Sequence, residues 1–195
     1  KRLSLMNIHN MAIVVVENQT RKVRGYLGSP DFNDQVHAGQ VDGCHAVRSP
    51  GSTLKPMVYG MAIDKGIITP ATMLSDVPVN IAGYAPENFN ARCNGLTRAS
   101  KALAFSLNIP AVNLLNQTGL SEFTGKLRKC GFRALQNDEA MGLSVILGGC
   151  GVRLTELAGM YTAIANGGAY MPIKYSEDDT LVQTAPLMSE AAAFM

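Results

Sequence analysis

Between Thr53 and Lys65, apolar side chains recur at Leu54, Met57, Val58, Met61 and Ala62, the spacing of an amphipathic helix, and Gly66 follows as a natural stop. A second stripe is clearer. Leu154, Leu157, Tyr161, Ile164 and Ala165 share one face, and Asn166-Gly167-Gly168 ends the run with residues that tolerate positive φ, which predicts a helix over Leu154 to Ala165. Shorter helices are expected from Thr97 to Phe105, with Pro110 blocking extension, and from Ala111 to Asn116. Another is expected from Glu122 to Cys130, with Ser121 as N-cap and Gly131 as stop. Near the N-terminus the period changes. Ala12 to Glu17 and Val23 to Gly28 are rich in β-branched residues and flank the polar Asn18-Gln19-Thr20-Arg21-Lys22, the pattern of a β-hairpin. Pro30 to Ser49 reads as a loop. Ile67 to Asn94, punctuated by Pro70, Pro78 and Pro86, reads as an extended, turn-rich excursion with little regular structure. The expectation is an α+β chain: a mainly helical body carrying one N-terminal hairpin.

Composition narrows the function classes. With 195 residues and 47% hydrophobic content the chain can bury one ordinary core. A net charge of +2, with no run of Lys or Arg longer than two, argues against a nucleic-acid stripe or a polybasic membrane patch. No apolar stretch is long enough to span a bilayer, and the opening Lys1-Arg2-Leu3 lacks the short apolar region of a signal peptide, so any targeting segment is expected to lie outside these residues. Cys44, Cys93, Cys130 and Cys150 form no C-x-x-C pair and have no histidine at zinc-ligand spacing, so neither a metal nor another cofactor is expected. They are buried free thiols or, in an oxidising compartment, one or two disulfides whose pairing the spacing leaves open. His9, His37 and His45 lack helical i, i+4 partners and read as structural, and Asp64-Lys65 and Glu177-Asp178-Asp179 as solvated surface.

The candidate chemistry begins at Pro50-Gly51-Ser52-Thr53-Leu54-Lys55-Pro56. Pro56 has no N–H and fits only near a helix start, so the helix should begin close to Ser52, with the hydroxyl at the positive end of the helix dipole. Lys55 lies one turn later on the same face, where a desolvated amine can act as base toward the hydroxyl. Gly51 removes a side chain beside the nucleophile and leaves room for a polymer substrate. Ser106-Leu107-Asn108 supplies a second hydroxyl and an amide two residues apart, able to relay a proton and to hold the lysine or a substrate peptide group.

With both motifs read, the chain resembles the class A bifunctional penicillin-binding proteins, most closely their 1C-type branch. The resemblance runs through Arg48-Ser49-Pro50, Tyr84-Ala85-Pro86-Glu87-Asn88-Phe89, Ser106-Leu107-Asn108-Ile109-Pro110-Ala111-Val112, Leu147-Gly148-Gly149 and Ala165-Asn166-Gly167-Gly168, in the family's order. It implies a penicillin-binding protein/β-lactamase-like transpeptidase fold, with Ser52, Lys55, Ser106 and Asn108 catalytic and Gly51, Tyr84 and Asn88 bordering the substrate. It also implies an acyl-enzyme formed on Ser52 from the D-Ala-D-Ala end of a peptidoglycan stem peptide, transfer to a neighbouring stem, and acylation of the same serine by β-lactams. The implied setting is the periplasmic face of the bacterial inner membrane, reached through an N-terminal anchor absent from these residues, in a parent that is also a glycosyltransferase.

One departure stands out. Lys-Thr-Gly or an equivalent, the family's third motif, is missing between Asn108 and Met195. Residues 1–195 are therefore expected to be a partial transpeptidase domain without its third-motif strand and later sheet strands, poorly active alone. The rival readings are a β-lactamase or D,D-carboxypeptidase of the same fold, which passes the acyl group to water, and a non-catalytic scaffold relative.

Overall fold

A 3-10 turn at Gly51–Leu54 runs directly into helix α1, Lys55–Asp64, in a computed structural model that describes residues 4–176, 178–179 and 185–195. Pro56 sits in the first turn, where its missing N–H costs nothing, so the start expected near Ser52 is observed. Leu54, Met57, Val58, Met61 and Ala62 are each at most 1% exposed, but Lys55, Tyr59 and Gly60 are buried as well. The helix is thus not amphipathic; it is enclosed on all sides over its first two turns. Each of its large aliphatic side chains contributes about 1.5–3 kcal/mol by leaving water, which offsets the cost of a lysine held among them.

Around this post pack α2 (Ala99–Ala104), α3 (Asn108–Thr118), a 3-10 segment at Gly142–Leu147 and, near the C-terminus, a short helix at Glu190–Phe194. α3 begins three residues earlier than expected because Pro110 lies in its first turn, where proline is tolerated. α4 (Leu120–Lys129) starts after Gly119 at φ 97°, not at a Ser121 cap. A four-residue turn of helix, α5, follows at Asp138–Met141. α6 covers Leu154–Ala165 as the stripe predicts, and Gly167 and Gly168 take φ of 67° and 84° after it. The C-terminal helix is α7.

The strands form three antiparallel ribbons of two strands each among the described residues. β1 (Ile13–Val16) pairs with β2 (Val23–Leu27), the expected hairpin, with a bulge at Val15/Val16. It leans on the helical body: β1 packs on α6, and Arg21, 3% exposed, donates to the carbonyls of Met171 and Ala169 at 3.1 and 2.9 Å. β3 (Met73–Asp76), inside the stretch expected to lack regular structure, pairs with β4 (Gly95–Arg98), which corrects that expectation and takes Thr97 and Arg98 into a strand, so that α2 starts at Ala99 and not at Thr97. β5 (Ala169–Tyr170) pairs with β6 (Ala185–Pro186).

All four cysteines are free, three of them buried and Cys93 exposed, and burial raises the Cys130 and Cys150 thiols to about 11. His37 meets the Asp34 carboxylate at 2.7 Å and stacks on His9. Asp178 and Asp179 are exposed; Glu177 lies outside the described residues. The Asp64 carboxylate accepts the Ser189 N–H at 3.0 Å, and Lys65 donates to the Thr118 carbonyl at 2.7 Å, so that pair is not simply solvated. No helix among the described residues is long and apolar enough to cross a membrane.

Candidate active site

Lys55 leaves the enclosed side of α1 1% exposed, and its ammonium meets three oxygens: the Ser106 carbonyl at 2.7 Å, the Ser106 hydroxyl at 3.1 Å and Asn108 Oδ1 at 2.7 Å. Burial lowers its pKa to about 8. Two of the three partners can only accept. They occupy the two N–H groups that a neutral amine retains, while the hydroxyl can accept from the ammonium or donate to the amine's lone pair. The cluster therefore satisfies Lys55 in both protonation states.

The partners are delivered by the junction between α2 and α3. Ser106 holds φ at 53°, in the left-handed region, and this turns both its carbonyl and its hydroxyl toward Lys55. Asn108 opens α3 and is held from two sides: its Nδ2 donates to the Glu87 carbonyl at 2.7 Å, and its backbone N–H donates to Asn88 Oδ1 at 2.8 Å. Asn88 in turn donates to Asp76 Oδ1 at 2.7 Å and to the Arg92 carbonyl at 2.9 Å. The fully buried Asp76 accepts two more N–H groups from Asn94, at 2.9 and 2.6 Å. A continuous chain of amides thus links the β3–β4 ribbon to the lysine.

Ser52 lies one turn before Lys55 in the Gly51–Leu54 segment, and its carbonyl accepts the Lys55 backbone N–H. Its hydroxyl makes no hydrogen bond among the described residues. The turn is braced by residues far along the chain. The Ser49 hydroxyl donates to the Gly148 carbonyl at 2.7 Å, and the Tyr161 hydroxyl donates to the Thr53 carbonyl at 3.0 Å. Arg48 and Val152 exchange two backbone hydrogen bonds, each of 2.9 Å. Gly148, at φ 98°, lies so near the turn that a Cβ there would fall 2.7 Å from the Gly51 backbone nitrogen.

The sequence model of the penicillin binding protein transpeptidase domain matches residues 11–193. The chain belongs to this transpeptidase family. It is 44% identical to penicillin-binding protein 1C of Escherichia coli over 95% of its own length and 24% of the relative's. It is 34% identical to penicillin-binding protein 1F of Bacillus subtilis over 80% of its length and 21% of the relative's. The chain thus spans about a fifth to a quarter of the length of the curated relatives it matches. The penicillin-binding protein PonA1 of Mycobacterium tuberculosis shares its fold, with a TM-score of 0.76 and 19% identity over 93% of this chain and 53% of that one.

Of the residues that the transpeptidase motifs single out, Lys55, Ser106 and Asn108 meet directly, and Ser52 joins them through the helix backbone. Gly51, at φ 55°, opens the turn. Asn88 is buried, and its amide is engaged inside the protein, so it positions Asn108. Tyr84 forms a small backbone bridge with Ile81, and its half-buried ring packs against the hydrophobic core. Asp76 and Asn94 escaped the sequence reading, since a buried polar network leaves no periodic signal. Gly148 and Tyr161 were visible only as parts of the family resemblance and the α6 stripe.

Proposed function

We propose that this chain carries the acylating centre of a peptidoglycan D,D-transpeptidase, with Ser52 as nucleophile and Lys55 as its base. One observation carries the reading: a buried lysine amine, one turn after a serine whose hydroxyl makes no hydrogen bond among the described residues, is held by a second hydroxyl and an amide. The neutral amine takes the Ser52 proton as Oγ attacks the carbonyl carbon of the penultimate D-Ala. The Ser52 backbone N–H, in the first helical turn, is placed to receive the developing oxyanion. As the tetrahedral intermediate collapses, the C–N bond to the terminal D-Ala breaks, and the proton reaches its nitrogen from Lys55 through the Ser106 hydroxyl. A neighbouring stem's amine then attacks the ester and releases Ser52.

A β-lactam acylates the same oxygen, its ring amide standing in for the D-Ala-D-Ala bond. In this reading, residues 1–195 are part of the transpeptidase domain and sequence outside them supplies the Lys-Thr-Gly strand. The parent acts at the periplasmic face of the inner membrane and also carries a glycosyltransferase. The decisive experiment is peptide mass spectrometry after exposure of the full-length protein to penicillin. The expected result is a penicilloyl adduct on the peptide containing Ser52, absent in Ser52→Ala. An adduct elsewhere, or one that survives the substitution, would overturn the assignment.

A further inference from the structure

Ser52 stands between two neighbours that are pinned, while the serine itself is left open. Before it, the Gly51 N–H donates to the Ser49 hydroxyl at 3.3 Å, and that hydroxyl donates to the Gly148 carbonyl at 2.7 Å. After it, Thr53 is held at three points. Its N–H and its hydroxyl both donate to the Pro50 carbonyl, at 3.2 and 2.8 Å, and its own carbonyl accepts the Tyr161 hydroxyl at 3.0 Å. The Ser52 N–H and hydroxyl make no hydrogen bond among the described residues. A serine open between fixed neighbours is pre-organised: its Oγ and its N–H keep one place without being consumed in keeping it.

Tyr161 supplies the one hydrogen bond among the described residues that reaches the C-terminal side of this turn from elsewhere in the chain, across 108 positions. Pro56 explains why a tether matters there. It has no N–H to give the Ser52 carbonyl, which takes the Lys55 N–H instead, so the turn runs as a 3-10 segment with weaker hydrogen-bond geometry. Tyr161 adds little to the core. It is 43% exposed, whereas its neighbours on α6, Met160 and Ala163, are fully buried. Partial burial raises its pKa, so the phenol keeps its proton and stays a donor. Resting on the transpeptidase reading above, we infer that Tyr161 is a positioning residue for acylation. Its hydroxyl fixes the Thr53 peptide group and, through it, the line of attack of Ser52 Oγ and the aim of the Ser52 N–H.

The test uses the full-length protein and Tyr161→Phe, which removes the oxygen alone. Acylation by fluorescent penicillin, followed against penicillin concentration, separates the maximal rate from the half-saturating concentration. The maximal rate should fall about tenfold, since small displacements of a reacting atom are heavily penalised. The half-saturating concentration should stay within about twofold, and the midpoint of the pH profile, set by Lys55, should not move. Loss of one neutral hydrogen bond on a half-exposed side chain should leave the midpoint of thermal unfolding within about 4 °C. A maximal rate within about threefold of the parent would overturn the assignment, as would a loss matched by the unfolded fraction seen by circular dichroism. Ser49→Ala loosens the same turn from its other side, so the double variant should lose clearly less than the product of the two single losses. Losses that simply multiply would show that Tyr161 acts elsewhere. Absence of a penicilloyl adduct on Ser52 in the parent would instead overturn the transpeptidase reading, so the two failures are distinguishable.

Discussion

Lys55 donates to Ser106 twice, at 2.7 Å to the carbonyl and 3.1 Å to the hydroxyl, across 51 positions of sequence. The carbonyl can only accept, whereas the hydroxyl can also return a proton, so one residue both fixes the amine and offers it an exit. Replacing Ser106 separates these tasks. Ser106→Gly keeps the carbonyl and suits the φ of 53°, so the fold should persist with its midpoint of unfolding nearly unchanged. Acylation by penicillin should nevertheless fall about 100-fold or more, the usual loss when a proton-transfer group is removed. A rate within threefold of the parent would show that Ser106 only orients Lys55.

The lowered pKa of Lys55 sets a pH dependence of definite sign. With a value of about 8, caused by burial, roughly a tenth of the amine is neutral at pH 7. The acylation rate should climb about tenfold per pH unit below 7.5 and level off above about 9. Stability follows the same group. Between the folded value of about 8 and the unfolded value near 10.5, the unfolded chain binds more protons, so folding becomes more favourable as pH rises through that window. Below pH 8 the cost of the buried ammonium is present in full. Urea titrations from pH 7.5 to 10 should separate the parent from Lys55→Met by this slope, since the raised Cys130 and Cys150 thiols pull stability the other way above about pH 9 in both proteins.

Asn88 is expected to matter without touching substrate. Asn88→Ala leaves the Asn108 N–H, the Arg92 carbonyl and one Asp76 oxygen without their partner, a loss of about 1–3 kcal/mol for each buried group left unpaired. Asn88→Asp should be worse, because it places a second carboxylate beside Asp76. Chemical denaturation would measure the stability, and the pH profile of acylation would show whether the Lys55 midpoint moves. A Lys55 midpoint unmoved in a folded Asn88→Ala variant would mean that the chain of amides does not reach the amine.

Gly148→Ala tests the brace under the nucleophile. The added Cβ would fall 2.5 Å from Ser49 Oγ and 2.7 Å from the Gly51 backbone, at a φ of 98° that alanine rarely adopts. The Gly51-Ser52 turn must shift or the variant must lose stability, by about 1–3 kcal/mol. Slower penicillin labelling is expected even at temperatures where circular dichroism shows an intact fold. Wild-type labelling with unchanged stability would show that the contact is relieved elsewhere.

Sequence periodicity was most informative where burial is one-sided. The α6 stripe, closed by Asn166-Gly167-Gly168, marked its helix to the residue, and β-branched runs around a polar turn marked the hairpin. α1 was located correctly but misread as amphipathic, because a lysine in a helix enclosed on all sides resembles a solvent-facing one in a periodicity count. The β3–β4 ribbon was hidden by its shortness and by the 18 residues that separate Asp76 from Gly95, among them Pro78 and Pro86. The helix before Pro110 ends short of it as expected, at Ala104, but the next helix starts ahead of the proline, whose place in a first turn is permissive. The four motif residues were legible as chemistry. Their supports, Asp76, Asn94 and the brace at Gly148, were not, because hydrogen-bond partners and steric clearance depend on the folded neighbourhood.

The β3–β4 ribbon also acts as an alignment key. Asp76 faces Gly95 at the end of the ladder, and its side chain points inward to Asn88 and Asn94. Side chains alternate between the two faces of a strand, so a slip of a single position would carry Asp76 to the outside and bring Ser75 or Val77 in. Asn88 would then have no carboxylate to meet, and Asn108 would lose the group that sets its N–H. A misthreaded ribbon thus cannot assemble a working lysine cage, so correct strand alignment and catalytic competence are reached together or not at all.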